Sequence, residues 1–166
     1  SLRNNYSFNF KNGGILRDKD ELTFKRNIKK ISNSKIDIII TSGAISAGKF
    51  DFIPSVVKKL NLSNFFKGVA IRPGKPILFA KIKGKQKAIF GLPGNPISSA
   101  ACFRFFVYPY LLNLFGIKNE KPIKAILKNT FSKKKNFTRF VKSKINTTQN
   151  GKIEVEILKG QESFRI

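Results

Sequence analysis

Residues Ala88–Gly116 read "AIFGLPGNPISSAACFRFFVYPYLLNLFG". A strand-like run, the loop GLPGNP (Gly91–Pro96) and a long apolar run follow one another without a break. Glycine admits backbone shapes that other residues resist, whereas proline fixes φ and removes a donor. A loop built from both is rigid and shows its backbone, so it either turns a corner or holds a ligand against peptide groups. Asn95 reads as the N-cap and Pro96 as the first helical position of a helix ending near Gly116.

Just upstream, "KPILFAKIKGKQKAIFGL" sets two β-rich runs around the turn "KGKQ". This predicts an antiparallel hairpin from Pro76 to Leu92. Further back, "KIDIIIT" is a short β-branched run that reads as a buried parallel strand. It leads into "SGAISAGKFD" and the helical pattern "FIPSVVKKL", which together make half of a βαβ unit. Leu22–Ser32 carries apolar residues at helical spacing, and "DKDE" supplies a cap and an acidic first turn. The expectation is a three-layer α/β domain over residues 1–117 with a mostly parallel sheet.

From Lys118 the character changes. "KNEKP" is a polar connector, and the pieces "IKAILKN", "FTRFVKSKI" and "KIEVEIL" are short and strand-like. Asn150-Gly151 marks a turn between the last two. Residues 118–166 are expected to form part of a small all-β, barrel-like domain, truncated. Both chain ends read as cuts through a larger protein.

Composition bounds the partners. The 166 residues are 41% hydrophobic with 17 Phe, enough for a sizeable core. A formal net charge of +24, from 33 Lys and Arg against nine Asp and Glu, would suit a polyanion. The lysines are scattered, however, and Lys, Asn, Ile and Phe abound while His, Met and Trp are absent, as in an AT-rich genome. No specific nucleic-acid binding is expected. The single Cys102 excludes an internal disulfide, and zero His excludes Cys/His zinc sites and a Ser-His-Asp triad. A reducing cytoplasm is the natural compartment, and no secretory signal opens the chain. The run Pro96–Phe115 approaches membrane-span length, but Arg104 mid-run would cost roughly 2.5–3.5 kcal/mol there and Pro109 interrupts it. No membrane association is expected.

Two loops each follow a strand and precede a helix, the position where open parallel sheets hold ligands. "TSGAISAG" offers the hydroxyls of Thr41, Ser42 and Ser46, with Gly43 and Gly48 allowing close backbone approach. GLPGNP offers Pro93, Gly94, Asn95 and Pro96. Between them "IRPGKP" adds Arg72 and Lys75 on a stiff turn. Asp51 follows the first loop, either capping a helix or serving a metal or proton role.

These residues carry a resemblance. "TSGAISAGKFDF", "FKGVAIRPGKPILFA" and "IFGLPGNPISSA" are similar, in order and spacing, to the molybdopterin molybdenumtransferase family, which includes bacterial MoeA and the E domain of gephyrin. "GILRDKDEL" resembles the stretch before the family's third-domain helix, so the likeness runs from about Gly14 to Gly116. More weakly, "FTRFVKSKI" and "GQESFRI" resemble its terminal domain. The resemblance implies molybdenum cofactor biosynthesis: molybdate enters the dithiolene of adenylated molybdopterin and AMP leaves in a step assisted by Mg2+. It also implies a homodimer of a longer protein, with the fragment inactive alone. Molybdate and AMP are oxyanions, so peptide N–H groups and fixed cations suit them better than a histidine base. Thr41, Ser42, Gly43, Ser46, Gly48 and Pro93–Pro96 are then substrate-binding residues. Arg72, Lys75 and Asp51 are catalytic, and Asp51 also holds the metal.

The sequence departs from the family in places. Ala44 stands where a second glycine is usual, Gly68 where several members carry lysine, and Arg72 where many have lysine. The strand and acidic loop that open this domain in the family have no counterpart in this stretch of sequence and are expected to lie outside it. Two other classes stay open: a molybdopterin adenylyltransferase, which shares the domain fold but is a single α/β domain, and a non-catalytic basic binding or scaffold domain.

Overall fold

The computed structural model describes residues 8–16, 20–45 and 52–160. Its first half runs α1 (Glu21–Ser32), β1 (Ile38–Ser42), α2 (Ile53–Lys58), β2 (Leu62–Lys67), β3 (Ile71–Arg72), β4 (Leu78–Ile82) and β5 (Ala88–Leu92). A helical stretch follows as α3 (Pro96–Cys102), a π-helical turn over Phe103–Val107, and α4 (Tyr108–Leu114). The remainder is β6 (Ile126–Leu127), β7 (Thr138–Arg139), β8 (Ser143–Thr147) and β9 (Ile153–Ile157).

Every residue of β5 is buried, because the strand lies inside the sheet and helices cover both faces. Side chains alternate along a strand. Ile89 therefore joins Phe24 and Ile28 of α1 and Val56 and Val57 of α2, together with Leu78 and Ala80 of β4. Ala88, Phe90 and Leu92 point the other way, toward Cys102, Val107 and Leu111 of the long helical stretch. This gives three layers, as expected.

The mostly parallel sheet is not what the chain builds. The main sheet has the order β1-β5-β4-β2, and only β1–β5 is parallel, aligned from Ile38↔Ala88 to Ser42↔Leu92. β4–β5 and β2–β4 are antiparallel. The reason is connection length. Parallel neighbours need a crossover of roughly a dozen residues or more, whereas only residues 83–87 join β4 to β5. β2 had no counterpart in the expectation: "LSNFFK" shows no clean alternation, and only Leu62 and Phe65 pack on the core.

The long helix is also less regular than its apolar pattern predicts. Pro109 has no N–H to give the carbonyl four residues back, and its ring would crowd that carbonyl. The helix widens just before it, and the Tyr108 N–H reaches five residues back to the Phe103 carbonyl.

After α4 the described residues hold only strands. β6, β9 and β8 form a small sheet, whose β8–β9 hairpin turns at Asn150-Gly151 with Gly151 at φ +72°. β7 lies alongside β3 instead, in parallel, and ties this segment to the α/β layers.

Candidate functional site

β1 and β5 end together because they are aligned residue for residue. Their loops are stitched: the Ser42 hydroxyl donates to the Pro93 carbonyl at 3.3 Å, and the Gly43 N–H to the Leu92 carbonyl at 3.0 Å. A Cβ on Gly94 would stand 3.4 Å from Gly43 Cα, so the two loops touch backbone to backbone. Gly91 is needed for packing, since a Cβ there would come within 2.9 Å of the buried Ile45 side chain. GLPGNP is thus shaped largely by its contact with the first loop, which fixes where each peptide group stands.

Asn95 caps α3 as its sequence position predicts. Its Oδ1 accepts from the Ser98 N–H at 3.0 Å and from the Ser98 hydroxyl at 3.2 Å. Ser98 was not among the expected residues, although a hydroxyl three positions after an N-cap is a recognisable partner. Ala44 takes φ +50°, a left-handed conformation that costs an alanine about 1–2 kcal/mol, which is why glycine would be easier there.

The third motif packs on the same helix. The Arg72–Pro73 peptide is cis, and Gly74 sits buried against α3 at φ +106°. The Cys102 thiol donates to the Gly74 carbonyl at 3.4 Å. Arg72 and Lys75 stay exposed on this turn. The first loop thus meets GLPGNP just ahead of α3, and the third motif packs on α3 itself through Gly74. Ser46, Gly48 and Asp51 lie outside the described residues. Among the described residues, no group of three or more Cys, Asp or Glu is placed to hold a metal.

Beside the first loop opens a cleft of about 470 Å³. It is walled by residues 11–16, by Asn27 of α1, and by Thr41, Ser42 and Ala44. Sequence reasoning missed it, because its walls come from segments with no local signal of proximity.

Cys102 is fully buried, and burial pushes its thiol up from the usual 9.0 to about 11. A raised acid favours the protonated form in the fold. Its contribution to stability is complete below pH 9 and is lost as pH climbs from 9 toward 11. We expect a thiol reagent at pH 8 to label the native chain only as fast as it opens, and the denatured chain at once. Rapid labelling of the native protein would contradict the burial.

The family described as "Probable molybdopterin binding domain" matches residues 1–113. The molybdopterin molybdenumtransferase of Staphylococcus aureus is 37% identical over 135 residues, 80% of this chain and 32% of that protein. The molybdopterin molybdenumtransferase of a Synechocystis species is 37% identical over 134 residues, 79% of this chain and 32% of that protein. A crystal structure of the molybdopterin biosynthesis moeA protein from Pyrococcus horikoshii overlays with a TM-score of 0.57 at 32% identity. It covers 87% of this chain and 34% of that one. The chain spans about a third of the length of these relatives.

Proposed function

The chain belongs to the molybdopterin-binding domain family of the molybdopterin molybdenumtransferases, and from that premise we propose that it forms the pterin-binding part of such an enzyme. In this reading molybdate is inserted into adenylated molybdopterin and AMP is released, within a cytoplasmic homodimer of a longer protein. The α/β layers of residues 1–117 carry the ligand, and residues 118–166 belong to a small β domain beside it.

The observation that supports this is the contact of the first loop with GLPGNP at the start of α3, with the third loop packed on that same helix. Ser42 and Gly43, just after Thr41, meet Leu92, Pro93 and Gly94, just ahead of Asn95 and Pro96, and Arg72 and Lys75 stand exposed on the third turn. Rigid peptide groups orient a flat, hydrogen-bonding ring system, while fixed cations hold oxyanions through charge-assisted bonds. Ser46 and Gly48, from the same TSGAISAG stretch of sequence, are substrate-binding residues in this reading. Asp51 supplies the carboxylate that a magnesium ion would need, together with the ligand's own phosphate. Among the described residues no group of three or more Cys, Asp or Glu is placed to hold a metal, and no step is assigned to it.

The test is a titration of the full chain with molybdopterin and with its adenylated form, followed by pterin fluorescence. Each charge-assisted bond is worth about 1.5–3 kcal/mol, so the adenylated form should bind at least tenfold more tightly. Arg72→Ala with Lys75→Ala should erase most of that difference while leaving the bare pterin's affinity within about threefold. Equal affinity for the two forms, or binding of neither, would overturn the reading.

A further inference from the structure

We propose that Lys85 and Lys87, on the turn between β4 and β5, are positioning residues. They pin the connector from α1 to β1 and so set the alignment of β1 on β5, on which the two loops at the other end of that strand pair depend. Only the last step, from aligned loops to a bound ligand, rests on the functional reading above.

β1 lies at the edge of the main sheet and is paired with β5 alone. The register of a strand is specified by which of its side chains must be buried. Here Ile38, Ile39 and Ile40 stand opposite Ala88, Ile89 and Phe90, and three identical residues in a row specify it poorly. Ile39 is buried and Ile40 is 45% exposed, yet a slip of one residue would merely put one isoleucine in the place of the other. The alignment therefore has to be fixed from the ends of the strand.

The two lysines do this at the end away from the loops. The Lys85 ammonium donates to the Ser32 carbonyl and to Asn33 Oδ1, each at 2.8 Å. The Lys87 ammonium donates to the Ser34 and Ile36 carbonyls. One turn thus holds oxygens along the whole connector. Ser32 ends α1, where carbonyls lack helical partners and the helix dipole favours a cation. Just beyond the clamp, the Ala88 N–H donates to the Asp37 carbonyl at 3.0 Å, which sets Ile38 opposite Ala88. Moving β1 by one residue, about 3.3 Å, would carry the connector away from the ammonium groups. The clamp therefore tells apart the alignments that the isoleucines do not. At the other end, the same alignment lets the Gly43 N–H meet the Leu92 carbonyl and the Ser42 hydroxyl meet the Pro93 carbonyl.

The experiment is native-state hydrogen exchange of the full chain, read amide by amide, in Lys85→Met, Lys87→Met and the double variant. Methionine keeps most of the stem and removes the charge. The reporter is the Gly43 N–H, roughly 13 Å along the strand pair from Ala88. The reference is the set of β4 amides, which lie between two strands and report global opening. In the double variant Gly43 should exchange at least tenfold faster relative to β4, and in each single variant at least threefold, which carries the comparison should the double variant not fold. Lys85→Arg with Lys87→Arg keeps charge and reach and should bring Gly43 back to within threefold of the wild type. Lys83→Met, on the same turn, is the control and should change the ratio less than twofold. Faster exchange confined to residues 32–37, or a loss shared equally by β1 and β4, would show that the lysines support stability alone and would overturn the proposal. If Gly43 loosens as expected while the wild type binds neither pterin, the clamp stands and the functional reading falls. If pterin discrimination holds in the wild type while Gly43 stays protected in the double variant, only the clamp falls.

Discussion

Gly74→Ala is expected to lower stability by about 3 kcal/mol and the melting temperature by roughly 10 °C. Two effects combine. Gly74 holds φ +106°, which an L side chain rarely adopts, and a Cβ there would come within 2.6 Å of Cys102 Sγ and 3.2 Å of Ile71 Cδ1. The thiol has no room to retreat, because it is fully buried under this turn. Adding Cys102→Ala removes the sulfur but not the backbone strain. The double variant should therefore be less destabilised than the two single variants summed, by about 1–2 kcal/mol. Urea unfolding of the four proteins gives the cycle. Strict additivity would mean that the contact does not decide the cost, and that backbone conformation alone does.

Phe90→Ala is expected to cost about 3–5 kcal/mol, a large share of the 5–15 kcal/mol typical of a whole domain. Phe90 is 2% exposed and stands at the centre of a ring cluster, with Phe79 at 5.0 Å and Tyr110 at 5.4 Å between centroids. Removing it opens a cavity between β5 and α4 that neighbours on two strands and a helix cannot close. The contrast is Ile40, aligned with Phe90 in the parallel pair but 45% exposed at the sheet edge. Ile40→Ala should cost less than about 1 kcal/mol. A cost for Phe90→Ala no greater than for Ile40→Ala, in denaturant midpoints at unchanged slope, would show that β5 is not the core of the fold.

Both variants act on features that differ in how far they can be read from the chain. The importance of Phe90 follows from its place in the unbroken apolar run Ala88–Phe90, closed by Gly91 and Pro93. The cost at Gly74 does not, because Cys102 is distant in sequence and nothing in either stretch names the other.

The same division runs through the molecule. Local rules dictate local structure: Asn95-Pro96 starts a helix, "KGKQ" and Asn150-Gly151 turn hairpins, and Phe24 and Ile28 recur at helical spacing on α1. Each is decided by backbone preference and side-chain chemistry within a few residues. The three motifs were also legible as a set, from residue types that suit oxyanions, and the family membership follows from them. What the tertiary structure alone decided is which strands become neighbours and how they align. It made the sheet mixed, set Gly43 against Gly94, and brought Arg139 beside Arg72. Strand pairing is chosen by which apolar faces can be buried together across the whole chain. That competition among distant segments leaves no mark on any one of them.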